Sequence, residues 1–434
     1  MIWSAGVLAA LVLAAGGAGG WLYQRLDENI TGEEIGDQLG GDRPVNLSPG
    51  AKNILLVGSD TREGANASYG KDLTTMQSDT LMILHIAADR KWAAVVSLPR
   101  DSWVEMPECD RGDGTKSTPH HFKINSAYAI GGSTGDAGAA AACTIRTIEY
   151  NTGLRLDHFV TLDFQGFKGM VDALGGIEVC PPHPIHDVKA RLDLGAGCQT
   201  VKGEQALGYV RTRYSVGDGS DIGRIGRQQE FMGALAARAK ERLTSPGDVY
   251  GFMSAATKSV TTDSALAGLG PLYGLAKELQ DIPKEKLYFV TVPNYPREAD
   301  VPSDKANISW QYPQTRTLFR SLASDHEVTR DSLAAGPVST AGSIQVRVLN
   351  GTTTPGRAAA VATQLRSAGY VVVSTGNAGG PVERTAITHP PGMEEKAAAF
   401  ASRLRTTAAP VSSAQAAPRV VTLTVGADFA GLWG

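Results

Sequence analysis

Short apolar runs alternate with amphipathic stretches along most of this chain. In KNILLVGSD the run Ile54–Val57 ends in Gly58-Ser59-Asp60, which predicts a buried strand leading into a loop. SDTLMILHIAADRKWAAVVSLPRD predicts two strands joined by a turn at Ala88–Lys91. Residues 61–76 and 107–122 are polar and predict loops. One helix is expected after Lys123 and another over about 138–150, stopping before Asn151-Thr152-Gly153. LDHFVTLDF reads as a strand, QGFKGMVDALGG as a helix stopped by Gly175-Gly176, and IEVCPP as a strand ending at proline. Helical spacing returns over Ile222–Leu243 and over 249–281, and KLYFVTVPN is a further strand. Strands alternating with helices predict an α/β (α+β) domain with a central sheet.

The pattern changes twice more. Residues 324–343, with SLAAGPVSTAGS, have the composition of a linker. From Ile344 the chain reads strand (IQVRVLNG), helix (RAAAVATQLRSAG), strand (YVVVST), helix (EEKAAAFASRLRT) and strand (RVVTLTVG), a small second α/β domain. At the other end, Ile2–Tyr23 carries no charged side chain. A helix of that length would span about 33 Å, roughly the hydrocarbon thickness of a bilayer. Trp21 and Tyr23 suit its interface. A cleaved signal peptide is the rival reading; a retained transmembrane anchor is the one adopted. The expected organisation is an anchor over 1–23, a tether over 24–49, a main domain over 50–323, a linker over 324–343 and a second domain over 344–430.

Composition and charge narrow the function. The 434 residues are 42% hydrophobic with a formal net charge of −3, enough for two or three cores and no basic domain of the kind that binds nucleic acid. Cys109, Cys143, Cys180 and Cys198 all follow the apolar segment and form no CxxC pair. An even count behind an export signal predicts two disulfides outside the cytoplasm. Three pairings are possible; Cys109–Cys143 with Cys180–Cys198 is expected, since each closes a local loop.

Against that near-neutral background, YVRTRYSVGDGSDIGRIGRQQ gathers Arg211, Arg213, Arg224 and Arg227. On a strand Arg211 and Arg213 would share a face. On a helix beginning near Asp221, the residues Arg224, Arg227 and Gln228 would line one face, continued inward by Phe231 and Leu235. Cations in the first turns of a helix are mildly unfavourable. An arriving anion would offset them, and the guanidinium fork matches phosphate oxygens. A solvated face with surface ion pairs is the plainer alternative. Asp60 at one strand end and Asp79 at another strand start favour the phosphate reading, because two carboxylates near phosphates suit Mg²⁺. SLPRD adds Arg100 and Asp101 at a third strand end, where ligand sites of α/β sheets gather.

Together the segments NILLVGSDTR, SDTLMILHI, SLPRD, KINSAYAIGG, TGLRLDHFVTLDFQGFKGMVDALGGIEV, GEQALGYVRTRY and DIGRIGRQQEFM, spanning about 53–243, resemble the LytR-CpsA-Psr family of membrane-anchored proteins that attach glycopolymers to the bacterial cell wall. The stretch from Ile344 to Phe429 resembles the small C-terminal domain of many actinobacterial members. The resemblance implies a central mixed sheet flanked by helices. It implies transfer of a glycan phosphate from a polyprenyl-pyrophosphate carrier in the membrane lipid to a peptidoglycan hydroxyl, with no nucleic-acid partner. Carried over, Asp60 and Asp79 hold Mg²⁺, and Arg100, Arg211, Arg213, Arg224 and Gln228 bind the pyrophosphate. Lys123 and Arg227 lie near it, Asp101 and Asp221 orient arginines or assist the acceptor, and Arg62 matches the first motif's arginine. One departure is Gln77, where the family usually carries arginine before Ser-Asp-Thr. A pyrophosphatase using the same groups, or a non-catalytic wall-binding or regulatory protein, is the alternative function. The expected location is the cell membrane, single-pass, with the later domains outside the cytoplasm.

Overall fold

The computed structural model describes residues 24–59, 76, 78–212, 221–242, 246–329 and 340–433, with only the backbone of 221, 222 and 246. Seven strands form the main sheet: β1 (Thr31–Glu33), β2 (Lys52–Ser59), β3 (Ser78–Ile86), β4 (Ala93–Leu98), β5 (His158–Asp163), β6 (Val260–Asp263) and β7 (Leu287–Thr291). Their order is β1-β6-β5-β2-β3-β4-β7. β2 runs antiparallel to β3 and parallel to β5, and β4 runs antiparallel to β3 and parallel to β7. This is a mixed sheet.

The alternation of side chains along each strand supplies two cores. Leu55, Val57, Leu81, Ile83, Ala94 and Val96 face one way, into a core shared with the helix α1 (Ala137–Thr152). Ile54, Met82, Leu84, Ile86, Ala93 and Val95 face the other way, into a core that includes Ile282. Covered on both faces, the central strands are mostly apolar on both sides, with His85 and Ser97 among the buried exceptions. The helix α1 starts at Asp136, whose carboxylate accepts the Ala139 N–H at 2.8 Å, and stops at Gly153 in the left-handed region (φ 71°). A third, smaller core lies under α2 (Phe164–Ala173), α3 (Gly203–Arg211) and α4 (Asp221–Arg242) and two short hairpins.

Cys109 is bonded to Cys143 and Cys180 to Cys198. The second bond closes the hairpin of Ile177–Val179 and Gln199–Val201. The second domain holds β8 (Gln345–Asn350), β9 (Val371–Asn377), β10 (Ala386–His389), β11 (Pro410–Ser412) and β12 (Val420–Val425) in the order β9-β8-β12-β10-β11. Its helices are Arg357–Ser367 and Glu394–Ser402. Among the described residues no helix is long and apolar enough to cross a membrane; Ile2–Tyr23 lies outside them.

Four expectations need correction. The stretch 249–281 is not one helix: Pro246–Thr257 ends, β6 enters the sheet between β1 and β5, and a second helix runs over Leu269–Gln280. The β-branched Val260-Thr261-Thr262 prefers the pleated sheet and breaks the helix. The loop over 107–122 contains the start of a strand, His120–Lys123, paired antiparallel to Trp103–Met106. Residues 24–49 are not a free tether, because β1 pairs with β6 and Arg43 binds Glu149. Arg211 belongs to the last turn of α3, where Thr212 N–H donates to the Gly208 carbonyl, and not to a strand.

One buried polar contact carries a pH prediction. His85 is fully buried, with Nδ1 2.7 Å from Asn53 Oδ1 and Nε2 3.0 Å from Asp325 Oδ1. Burial holds the imidazole below its ordinary value, outweighing the Asp325 carboxylate that faces it. A depressed histidine contributes stability that is complete above its unfolded value of about 6.5 and is lost as pH falls through the lower folded value. Melting temperature measured from pH 8 to pH 5.5 is expected to fall below about pH 6.5, and His85→Gln to flatten that fall. An unchanged slope in the variant would remove His85 as the cause.

Candidate active site

The site forms where β2, β4 and β5 end and β3 begins. β2 and β3 pair in register up to Gly58–Thr80, and the next pair is Ser59–Ser78. Asp79 is therefore the extra residue of a β-bulge. Bulges re-aim side chains next to active sites, and here the re-aimed group is a carboxylate. Arg100 Nη1 donates to Asp79 Oδ1 at 2.7 Å. Arg224 Nη2 donates to the Asp79 backbone carbonyl at 3.1 Å. The bulge is thus held by two guanidiniums from different elements.

Arg100 and Asp101 lie just past the end of β4. Arg100 Nε stands 3.7 Å from Asp101 Oδ2, and Lys123 Nζ donates to Asp101 Oδ1 at 2.6 Å and to the Ala306 carbonyl at 3.2 Å. Asp79, Arg100, Asp101 and Lys123 form a chain of alternating charge along one rim. Their side chains are 15–30% exposed, open enough for a ligand to reach them.

The helix α4 supplies the other wall. Arg224, Arg227, Gln228 and Phe231 are all buried, on the single face that their spacing predicts. Gln228 Nε2 donates to Thr80 Oγ1 at 3.2 Å and to the Val210 carbonyl at 3.1 Å. Its neighbour Gln229 donates to Ser97 Oγ at 3.1 Å and Thr291 Oγ1 at 3.2 Å. These two amides fix the helix across β3, β4 and β7. Arg227 Nη2 donates to the Thr212 carbonyl, and burial lowers the pKa of its guanidinium from the ordinary value. Arg227 and Gln228 therefore point at protein backbone and strands, as braces behind the rim. Arg211 lies over the Phe164 ring at 4.5 Å, just past the end of β5. β5 pairs with β2 up to Ser59–Asp163, so Arg211 borders the same sheet end.

The structure brings together Asp79, Arg100, Asp101, Lys123 and Arg224, with Arg211 beside them. Asp60, Arg62, Gln77 and Arg213 lie outside the described residues, as does the side chain of Asp221. Asp60 follows Ser59 directly, and Ser59 pairs with the residue before Asp79. No group of three or more metal-ligating side chains occurs among the described residues. Sequence reasoning missed Gln229, Thr80, Ser97 and the bulge. The paired glutamines on an otherwise amphipathic helix were the available signal for the first.

Comparison with known proteins fits this geometry. The model of the LytR_cpsA_psr family matches residues 22–320, and the chain belongs to that family. Residues 343–429 match a second model, described as LytR cell envelope-related transcriptional attenuator. The probable cell wall biosynthesis protein LcpB of Corynebacterium glutamicum is 39% identical over 201 residues, which are 45% of this chain and 42% of LcpB; the match thus spans less than half of that relative. LcpA of the same organism, a cell wall biosynthesis protein, is 28% identical over 86% of this chain and 75% of its own. TagT of Bacillus subtilis, named a polyisoprenyl-teichoic acid–peptidoglycan teichoic acid transferase, is 28% identical over 64% of this chain and 83% of its own. The LytR-Csp2A-Psr enzyme from Actinomyces oris shares the fold, with a TM-score of 0.50 at 21% identity over 68% of this chain and 95% of its own.

Proposed function

We propose that this chain transfers a glycopolymer phosphate from a polyprenyl-pyrophosphate carrier to a hydroxyl of peptidoglycan. The observation that carries this reading is the bulged Asp79 held between Arg100 and Arg224 at an open sheet end. The transferase named among the relatives supports it.

Arg100, Arg211 and Arg224 bind the pyrophosphate, and Arg213 is expected to join them. Asp101 orients Arg100 and Lys123 toward it. Arg227 and Gln228 brace the wall. The Asp79 carboxylate offers hard oxygen on a partly exposed side chain, and it fits Mg²⁺, which binds through one or two carboxylates plus substrate phosphates. Asp79 with Asp60 would hold the ion, which supplies charge neutralisation on the phosphates.

Phosphoryl transfer asks the protein mainly for positioning and electrostatic stabilisation. The acceptor oxygen attacks the glycan-side phosphorus in line. A new phosphorus–oxygen bond forms, the pyrophosphate bridge breaks, and polyprenyl phosphate leaves with the bond's electron pair. The hydroxyl proton passes to solvent. The guanidiniums offset the charge that develops on the leaving phosphate. The reading places the folded domains outside the cytoplasm, behind an anchor at Ile2–Tyr23, and the two disulfides support that placement.

The test incubates the full chain with a polyprenyl-pyrophosphate oligosaccharide, peptidoglycan fragments and Mg²⁺, and reads products by mass spectrometry. Glycan joined to peptidoglycan through phosphate is expected. Asp79→Asn and chelation of Mg²⁺ are each expected to lower the rate by about 10²-fold or more. Free glycan phosphate as the sole product would replace transfer with hydrolysis.

A further inference from the structure

The two domains meet across a polar face. Arg405 donates to the Tyr150 carbonyl at 2.6 Å and lies over the Tyr150 ring at 3.7 Å. Arg297 donates to the Ser367 carbonyl at 2.8 Å. Asp300 accepts from the Tyr295 hydroxyl at 2.7 Å and from Gly342 N–H at 2.6 Å. Beside these contacts, between the two domains, lies a partly open cavity of about 170 Å³. Glu105, His121 and Tyr150 line it from the first domain, and Arg357, Arg403 and Trp433 from the second.

Two of these residues carry donors without an acceptor. Arg403 is only 8% exposed, and its Nε has no hydrogen-bond partner among the described residues. The same holds for the buried indole N–H of Trp433. A buried donor left unpaired is costly, and more so when charged. The Tyr312 ring lies 4.7 Å from the Arg403 guanidinium and covers its face. The N–H groups lie in the plane of the guanidinium, at its edge. Arg357 donates to the Phe429 carbonyl at 3.2 Å, which fixes a second cation at the cavity wall.

The charges do not balance within the cavity. Glu105 is the one carboxylate among its lining residues, and it is already engaged by the Tyr150 hydroxyl and attracted by Arg405. Burial and the nearby Arg403 and Arg297 keep His121 below its ordinary value, despite Glu105, so the imidazole adds no charge at neutral pH. Two guanidiniums therefore face one occupied carboxylate.

We propose that this interdomain cavity binds a small carboxylate of amino-acid size, held by Arg403, Arg357 and the Trp433 indole. A planar carboxylate matches the guanidinium fork. The volume is slightly above that of the roughly 150 Å³ engineered cavities that hold benzene. It admits a carboxylate with a short aliphatic body. Ala368, Phe429 and Leu432 also line the cavity and supply apolar surface for that body. The site is separate from the phosphate rim, so binding does not depend on the transfer reading.

Calorimetric titration of the full chain tests this with four probes: alanine, N-acetyl-alanyl-alanine, the C-terminal amide of that dipeptide, and inorganic phosphate. Saturable binding of a carboxylate, with none for the amide, is expected. Arg357→Gln and Arg403→Gln should each weaken it at least tenfold. Arg357 sits at the wall without bridging the domains, so its variant separates loss of the site from loss of docking, and its melting temperature should match wild type. Binding of the acetylated dipeptide assigns the site to a peptide end; binding of alanine alone assigns it to a free amino acid. Either result supports the site. Equal binding of acid and amide, no saturable binding by either carboxylate, or binding of phosphate alone would overturn it.

Discussion

Arg100→Ala is expected to lower glycopolymer transfer by about 10²–10³-fold, roughly 2.7–4 kcal/mol, the usual cost of removing one preorganised group that stabilises developing charge. Arg100 spans the rim, with Nη1 on Asp79 and Nε beside Asp101. Truncation removes the cation and frees the bulged carboxylate at once. Asp101 keeps Lys123, so the loss is local. The side chain is 18% exposed and its strand is held by other contacts, so the melting temperature should change little. The kinetics distinguish two roles. A fall in kcat with KM unchanged means that Arg100 acts in the transition state; a rise in KM alone means that it holds ground state and transition state equally. Wild-type turnover in the variant would remove Arg100 from the machinery and with it the main support for the transferase reading.

Glu149→Ala should destabilise the main domain by about 3–5 kcal/mol, the cost of breaking a buried ion pair from one side. Glu149 is 3% exposed on α1. It accepts Arg43 Nε at 3.0 Å and Nη2 of the same guanidinium, and Leu156 N–H at 2.9 Å. Arg43 also donates to the Leu156 carbonyl. One carboxylate therefore ties segment 24–49, α1 and the approach to β5 together. Removing it leaves a largely buried guanidinium with only the Leu156 carbonyl as acceptor, and the Leu156 N–H without a partner. Urea denaturation of the variant, of Arg43→Ala and of the double variant measures the coupling. Additive losses, or a loss under about 1 kcal/mol for Glu149→Ala, would reduce the pair to a surface contact.

Much of this molecule was legible in its sequence, for identifiable reasons. The central strands are mostly apolar on both faces, so Ile54–Val57 and Leu81–Ile86 stand out whatever surrounds them. The arginine face of α4 followed from spacing alone. Arg224, Arg227, Gln228 and Phe231 fall three or four apart, and all four are buried together. Spacing could not say where those side chains point. Gln228 spends its amide on Thr80 and Val210, and Arg227 turns to Thr212, because the wall must be fastened as well as charged. The Asp79 bulge left no mark either, since Ser-Asp-Thr reads the same in regular and bulged strands. Arg211 was misread because Tyr-Val-Arg-Thr-Arg alternates like a strand. In the fold, Ala206, Tyr209 and the partly buried Val210, three and four residues apart, find one core, and tertiary burial overrides the local pattern.

The order of strands in the main sheet also fixes the order in which the domain is completed. The four inner strands, β5-β2-β3-β4, come from the first half of the domain, and β2, β3 and β4 pair with their neighbours in sequence. Both flanks arrive late: Val260 pairs back to Leu162, and Leu287 pairs back to Ala93. A chain emerging from its N-terminus exposes the β5 edge until residue 263 and the β4 edge until residue 291 has followed, and long-range pairings of this kind close slowly. The interval between the appearance of β5 and β7 is when a newly made chain is most exposed to edge-to-edge aggregation, and a truncation before residue 260 makes that interval permanent.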